Sequence, residues 1–307
     1  TLVDKVFTTT KVAGLEPRIE ELIDELINEF IDRDEIDFLA DFAVPLPMFV
    51  IAEQLGVRRE DREMFKRWSN MAVETTGPVT PERELELAVI MVEMQQYMAI
   101  EIERVRAEPN DMLLSRLVNL ETEGRNLNLQ ELQSLIFQIL VAGNETTTTT
   151  LASGMRLMIE QPELAEAVHA DPSLAKALGE EALRLATPLQ CLWRTALTDV
   201  QFGDVTIPAG AIVEVRFGAA NRDPAQFGCP ADVDLHRKNG NSHLAFSAGI
   251  HLCIGNQLAR GELRLAFQAL TRRLANFRFS RGEDSCLPLE GYTPYGLRTL
   301  WMSFDKR

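Results

Sequence analysis

The side chains best placed to do chemistry cluster around Cys253. It lies in the stretch Phe246-Ser-Ala-Gly249-Ile-His251-Leu-Cys253-Ile-Gly255, directly before an apolar-periodic segment that reads as a helix. Backbone N–H groups and the dipole at a helix N-terminus favour a thiolate. Gly249 and Gly255 let backbone approach a flat ligand closely or take unusual dihedrals. Such a sulfur can ligate iron or act as a nucleophile; the plainer reading is a buried apolar cysteine. A second set lies in Ala142-Gly143-Asn144-Glu145-Thr146-Thr147, where a carboxyl and a hydroxyl interrupt an apolar run. Glu145 could relay protons or sit on a solvated face. Thr146 could hydrogen-bond a ligand or bond back to the Ala142 carbonyl. Glu181 and Arg184, three apart, suit a helical ion pair.

The elements that must position these groups are mostly helical. Leu15, Ile19, Leu22, Leu26 and Phe30 recur at helical spacing, with Pro17 near the start. Pro45 and Pro47 interrupt the pattern; helices are expected near 58–74 and from about 82 to 106, and a polar loop over 121–127. Asn128 and Glu131 have capping-box spacing and open a long helix to about Glu160. That helix is apolar on most faces before Gly143 and then carries five consecutive threonines, Thr146 to Thr150, of poor helix propensity. Such a conflict is expected at a functional site; Thr147 to Thr150 read mostly as packing. Pro162 and Ser173 open two shorter helices, the second reaching about Ala186. Strands are expected over 194–200, 201–207 and 211–217, an irregular stretch over 221–245, a helix over 256–276, and strands near 277–280 and 297–304. This is a mostly α chain with small β-sheets: helical over 1–187 and 256–276, β-rich over about 193–217 and 277–304, with no domain boundary within 1–307.

Residues 1–150 hold 29 acidic against 14 basic side chains and residues 151–307 hold 17 against 17, so the net charge of −15 sits in the first half. A pI near 4.8 argues against nucleic-acid binding. Residues 251–307 carry nine basic and five acidic side chains, a face that could dock an acidic partner. The four cysteines, at 191, 229, 253 and 286, have no CxxC spacing and suit a reducing cytoplasm. No apolar run approaches the roughly 20 residues of a membrane span.

Phe-x-x-Gly-x-x-x-Cys-x-Gly resembles the axial-ligand loop of the cytochrome P450 family. Ala142 to Thr147 resembles its oxygen-binding helix and Glu181-Ala-Leu-Arg184 its Glu-x-x-Arg helix, in the family's order. Val205-Thr-Ile-Pro-Ala-Gly and Ala220-Asn-Arg-Asp-Pro extend the likeness over essentially the whole chain. The resemblance implies the P450 fold, haem b with Cys253 as thiolate ligand to iron, and monooxygenation of a small, largely apolar organic substrate by O2, with electrons from a ferredoxin and its reductase. It implies Phe246 beside the ring near the sulfur, His251 and Arg194 as propionate partners, and Ala259 as a small residue admitting the ring. Ala142 and Gly143 would kink the long helix above the iron. Thr146 and Glu145 would organise proton delivery. Gln138, Val141, Leu189, Gln190 and Leu192 would line the substrate pocket. Glu181 and Arg184 would hold the loop below the haem, where the family adds a second arginine; no match is obvious, and Asp232 lies near the expected place. Arg260, Arg264, Arg272 and Arg273 are candidates to face an acidic partner. The family also has helices upstream of the point matching Thr1, so the chain reads as part of something longer. Two rivals follow: a peroxide-using enzyme, against which Glu145 and Thr146 argue, and a truncated or sensing haem-binding protein without turnover.

Overall fold

A computed structural model describes residues 9–75, 77–122, 124–289 and 295–307. The long helix, Leu129–Glu160, is the axis of the molecule, about 48 Å long at 1.5 Å per residue. Its start is fixed by the expected capping box: the Asn128 side chain accepts from the Glu131 N–H while the Glu131 carboxylate accepts from the Asn128 N–H. Helices Pro45–Gln54, Arg62–Glu74, Ala175–Ala186 and Asn256–Arg273 pack against it. The threonine run survives there because its hydroxyls find backbone carbonyls. Thr148 Oγ1 donates to Ala43 O at 2.9 Å and Thr150 Oγ1 to Thr146 O at 2.8 Å, which leaves the branched methyls to fill the core. The helix Glu16–Phe30 buries Ile19, Leu22, Ile23, Leu26, Ile27 and Phe30 along one stripe, against the helix Asn256–Arg273.

The strands between 192 and 215 are shorter than expected, while the two C-terminal ones, Leu274–Phe279 and Leu297–Lys306, are longer. Leu192–Thr195 pairs antiparallel with Ile212–Val215, and Val200–Phe202 with Val205–Ile207. A third antiparallel set joins distant parts of the chain: Leu297–Lys306 pairs with Ile36–Asp37, Leu274–Phe279 and Cys286–Pro288. Pro45 does not interrupt a helix but starts one, since its missing N–H falls among donors a first turn leaves free. A short helix, Leu113–Val118, had no strong sequence signal. The expected polar loop over 121–127 contains a two-stranded ribbon, Glu121–Thr122 with Arg125–Asn126. Thr76 and the opening residues Thr1 to Thr8 lie outside the described residues. No helix among the described residues is long and apolar enough to cross a membrane.

Candidate active site

A cavity of about 390 Å³ separates the long helix from the Cys253 loop. Ala142, Gly143, Thr146 and Thr147 form one wall; Phe246, His251, Cys253, Gly255 and Ala259 form the other. Ile51, Leu135, Ile139, Leu183, Leu192 and Phe217 make the remainder largely apolar.

The loop is shaped by its backbone. Gly249 has φ +62° and begins a 3-10 turn that carries His251. The Cys253 N–H donates to Phe246 O at 2.9 Å, closing the loop on itself. Cys253 is exposed only in the sense that it faces the cavity. Burial pushes its thiol up, while the Gly255 N–H, the Arg260 guanidinium and the Asn256 N–H pull the other way. Desolvation is the largest of these influences on the metal-free sulfur. Such a sulfur is a poor free nucleophile and becomes anionic on coordinating a metal.

Facing it, the long helix carries Ala142-Gly143 within its span Leu129–Glu160. A Cβ at Gly143 would lie 3.4 Å from Ile51 Cγ1, an ordinary van der Waals contact. Thr146 Oγ1 donates to Ala142 O at 2.9 Å. Glu145 is half-buried, off the cavity wall, and burial pushes its carboxyl up. Gln138 lies on the wall, with Nε2 donating to Ser134 Oγ at 3.2 Å. Leu189 and Leu192 also line the cavity. Val141 and Gln190 do not: Val141 packs into the core, and Gln190 donates to Ala186 O and Thr187 O, both at 2.8 Å. Arg194 is likewise off the wall, donating to Trp193 O at 2.8 Å from the strand Leu192–Thr195.

Glu181 and Arg184 form a two-pronged pair with both N–O distances at 2.8 Å, fully buried. The third member is Arg237, whose Nε donates to Glu181 Oε1 at 3.1 Å with its side chain buried. Asp232 corrects to a backbone role: its carbonyl accepts from Arg184 at 2.9 Å and Arg237 at 3.1 Å. The pair and Arg237 thereby tie down the irregular stretch over 228–237. The four arginines suggested for an acidic partner are all engaged within the chain. Arg260 pairs with Glu180, Arg264 with Glu16, and Arg272 and Arg273 with Asp24.

Two groups had no sequence signal. Glu262 is 2% exposed, lines the cavity, and has its carboxyl pushed up by burial to about 8. Its helical period marked it only as one more polar position. Glu180, beside Glu181, is also buried and pairs with His243 as well as Arg260.

Among the described residues, Cys253 is the cavity's only soft donor, and no group of three His, Cys, Asp or Glu could hold a metal ion. A metal bound here must bring most of its ligands with it. One sulfur facing a glycine-containing helix across an apolar gap fits iron carried in a flat macrocycle. Fold and site thus suit a haem-thiolate protein in which Cys253 would supply the sulfur ligand, with Phe246, Gly255 and Ala259 lining the same wall.

The family model for cytochrome P450 matches residues 55–297. The chain is 38% identical over 284 residues to cytochrome P450 107B1 of Saccharopolyspora erythraea, covering 92% of this chain and 68% of that one. It is 38% identical over 289 residues to a steroid C26-monooxygenase of Mycobacterium tuberculosis, covering 94% and 77%. The structure of CYP109E1 from Bacillus megaterium in complex with testosterone superposes with a TM-score of 0.91 at 32% identity, covering 98% and 82%. The chain belongs to the cytochrome P450 family, and is a haem b monooxygenase with cysteine thiolate ligation of the iron.

Proposed function

We propose that residues 1–307 act as one haem-thiolate domain that inserts an oxygen atom from O2 into a small, largely apolar organic substrate. The supporting observation is the cavity itself: Cys253 on one wall, Thr146 on the other, and apolar side chains over most of the rest. Haem b, when bound, supplies the iron, and the thiolate ligand pushes electron density toward it to favour O–O cleavage. The chain's residues do the rest. Thr146 is a hydroxyl on the cavity wall whose bond to Ala142 O can be exchanged for one to a ligand. Glu145, its carboxyl raised by burial, retains a proton to higher pH than a surface glutamate and passes protons inward from outside. His251, on the wall beside Cys253, is a partner for a haem propionate.

The substrate lies against Ile51, Leu135, Leu192 and Phe217, whose burial of its surface displaces water. Gln138 is the polar exception, and its amide orients one polar group of the substrate or a bound water. A relative named for steroid oxidation and a similar structure holding testosterone are in keeping with a bulky apolar substrate. Electrons come from a ferredoxin-type protein and its reductase; the net-neutral half over 151–307 repels such an acidic partner less than the half carrying −15. Four free thiols suit a cytoplasmic location.

The deciding measurement is the carbon monoxide difference spectrum of the dithionite-reduced protein. A strongly red-shifted Soret band is expected. A band at the ordinary histidine- or thiol-ligated position would overturn the reading of Cys253. Turnover is then assayed with the partner, without it, and with peroxide in its place. Activity that needs the partner and weakens with ionic strength is expected; full activity with peroxide alone would favour the peroxide-using alternative.

A further inference from the structure

Glu180 holds both ends of the loop that carries Cys253. Its Oε2 lies 2.9 Å from His243 Nε2, and Arg260 Nε donates to its Oε1 at 2.7 Å. The Ala245 N–H donates to His243 Nδ1 at 3.2 Å, so Nδ1 is an acceptor and the proton sits on Nε2, directed at Glu180. His243 is thereby held between Ala245 and Glu180, just ahead of Phe246. On the far side, Arg260 Nη1 donates to Asn256 Oδ1 at 2.9 Å, and Asn256 Nδ2 donates to the Cys253 carbonyl. The Arg260 guanidinium also lies 4.5 Å from the centre of the Phe246 ring.

Burial alone would raise the Glu180 carboxyl, but His243 and Arg260 hold it below the usual range, so it is anionic. The Glu180 carboxylate thus sits between the Arg260 guanidinium and the His243 ring. Arg260 acts on the Cys253 sulfur through its field, and the Glu180 carboxylate lies 2.7 Å from Arg260 Nε with the opposite charge.

We propose that Glu180 is a positioning residue for the axial thiolate: it clamps the Cys253 loop through His243 and Arg260, and offsets part of the Arg260 charge that acts on the sulfur. This rests on Cys253 being the iron ligand. An uncancelled positive charge favours the reduced iron; an uncancelled negative charge favours the oxidised iron.

The test is a redox titration of the haem-loaded protein for Glu180→Gln, Arg260→Gln and the double variant. Glu180→Gln is expected to raise the reduced-to-oxidised ratio at a fixed solution potential roughly tenfold, which is 59 mV for one electron. Arg260→Gln is expected to lower it by a similar factor, and the double variant to return within about threefold of the parent. Merely loosening the loop would not give opposite signs that cancel. If Glu180→Gln fails to fold, Arg260→Gln and Arg260→Lys decide the matter, because Arg260 is about one-quarter exposed. The lysine variant keeps the charge and must keep the potential, whereas the glutamine variant must lose it. Single variants that shift the potential in the same direction, or an Arg260→Gln protein that keeps it, overturn the proposal. A parent protein without the red-shifted carbon monoxide band would instead overturn the ligand assignment.

Discussion

Glu262→Gln should make the protein more stable at alkaline pH and flatten its stability profile. Glu262 is 2% exposed and its carboxyl is pushed by burial from 4.5 to about 8. Between those values the folded chain holds a proton that the unfolded chain has released. Stability therefore falls as pH rises through this window. The contribution is neutral below about 4.5, grows steadily more unfavourable to about 8, and is constant above. The window spans about 3.5 pH units at 1.36 kcal/mol each, an upper bound of about 5 kcal/mol. Glutamine keeps the shape of the neutral acid and has nothing to titrate. Denaturant midpoints measured from pH 5 to pH 9 on both proteins give the difference profile, in which all other titrating groups cancel. The two are expected to match near pH 5 and to diverge by several kcal/mol at pH 8.5, with the variant more stable. Parallel profiles, or a variant less stable at pH 8.5, would show that Glu262 is paired or hydrated in solution and refute the reasoning.

Three further outcomes are expected. Thr146→Val removes the hydroxyl while keeping the branched shape; product per O2 consumed should fall about 100-fold or more while reductant is still oxidised, because proton delivery is what is lost. Arg184→Leu leaves Glu181 with only Arg237 and the Asp234 N–H in a fully buried site, which should cost about 3 kcal/mol in urea unfolding and reduce retained haem. Gly154→Ala would place a methyl 2.2 Å from Phe267 Cζ, between the long helix and the helix Asn256–Arg273; overpacking of about 1–3 kcal/mol should appear as a lower Tm, and Phe267→Leu should restore part of it.

How far the molecule could be read in advance depended on the range of the forces involved. The capping box at Asn128 and Glu131, the helical stripe from Ile19 to Phe30 and the glycines of the Cys253 loop act over a few residues, so spacing alone discloses them. The same holds for the motif placing Thr146 and Cys253, which the fold sets on opposite walls of one cavity. What tertiary structure decided was partnership across the chain. Arg237 reaches Glu181 over 56 positions and Arg260 reaches Glu180 over 80, and no local pattern selects those arginines from their neighbours. Burial was decided there too. It raises the Cys253 thiol against a favourable helix terminus and keeps a proton on Glu262, since desolvation depends on everything packed around a group and not on the residues beside it.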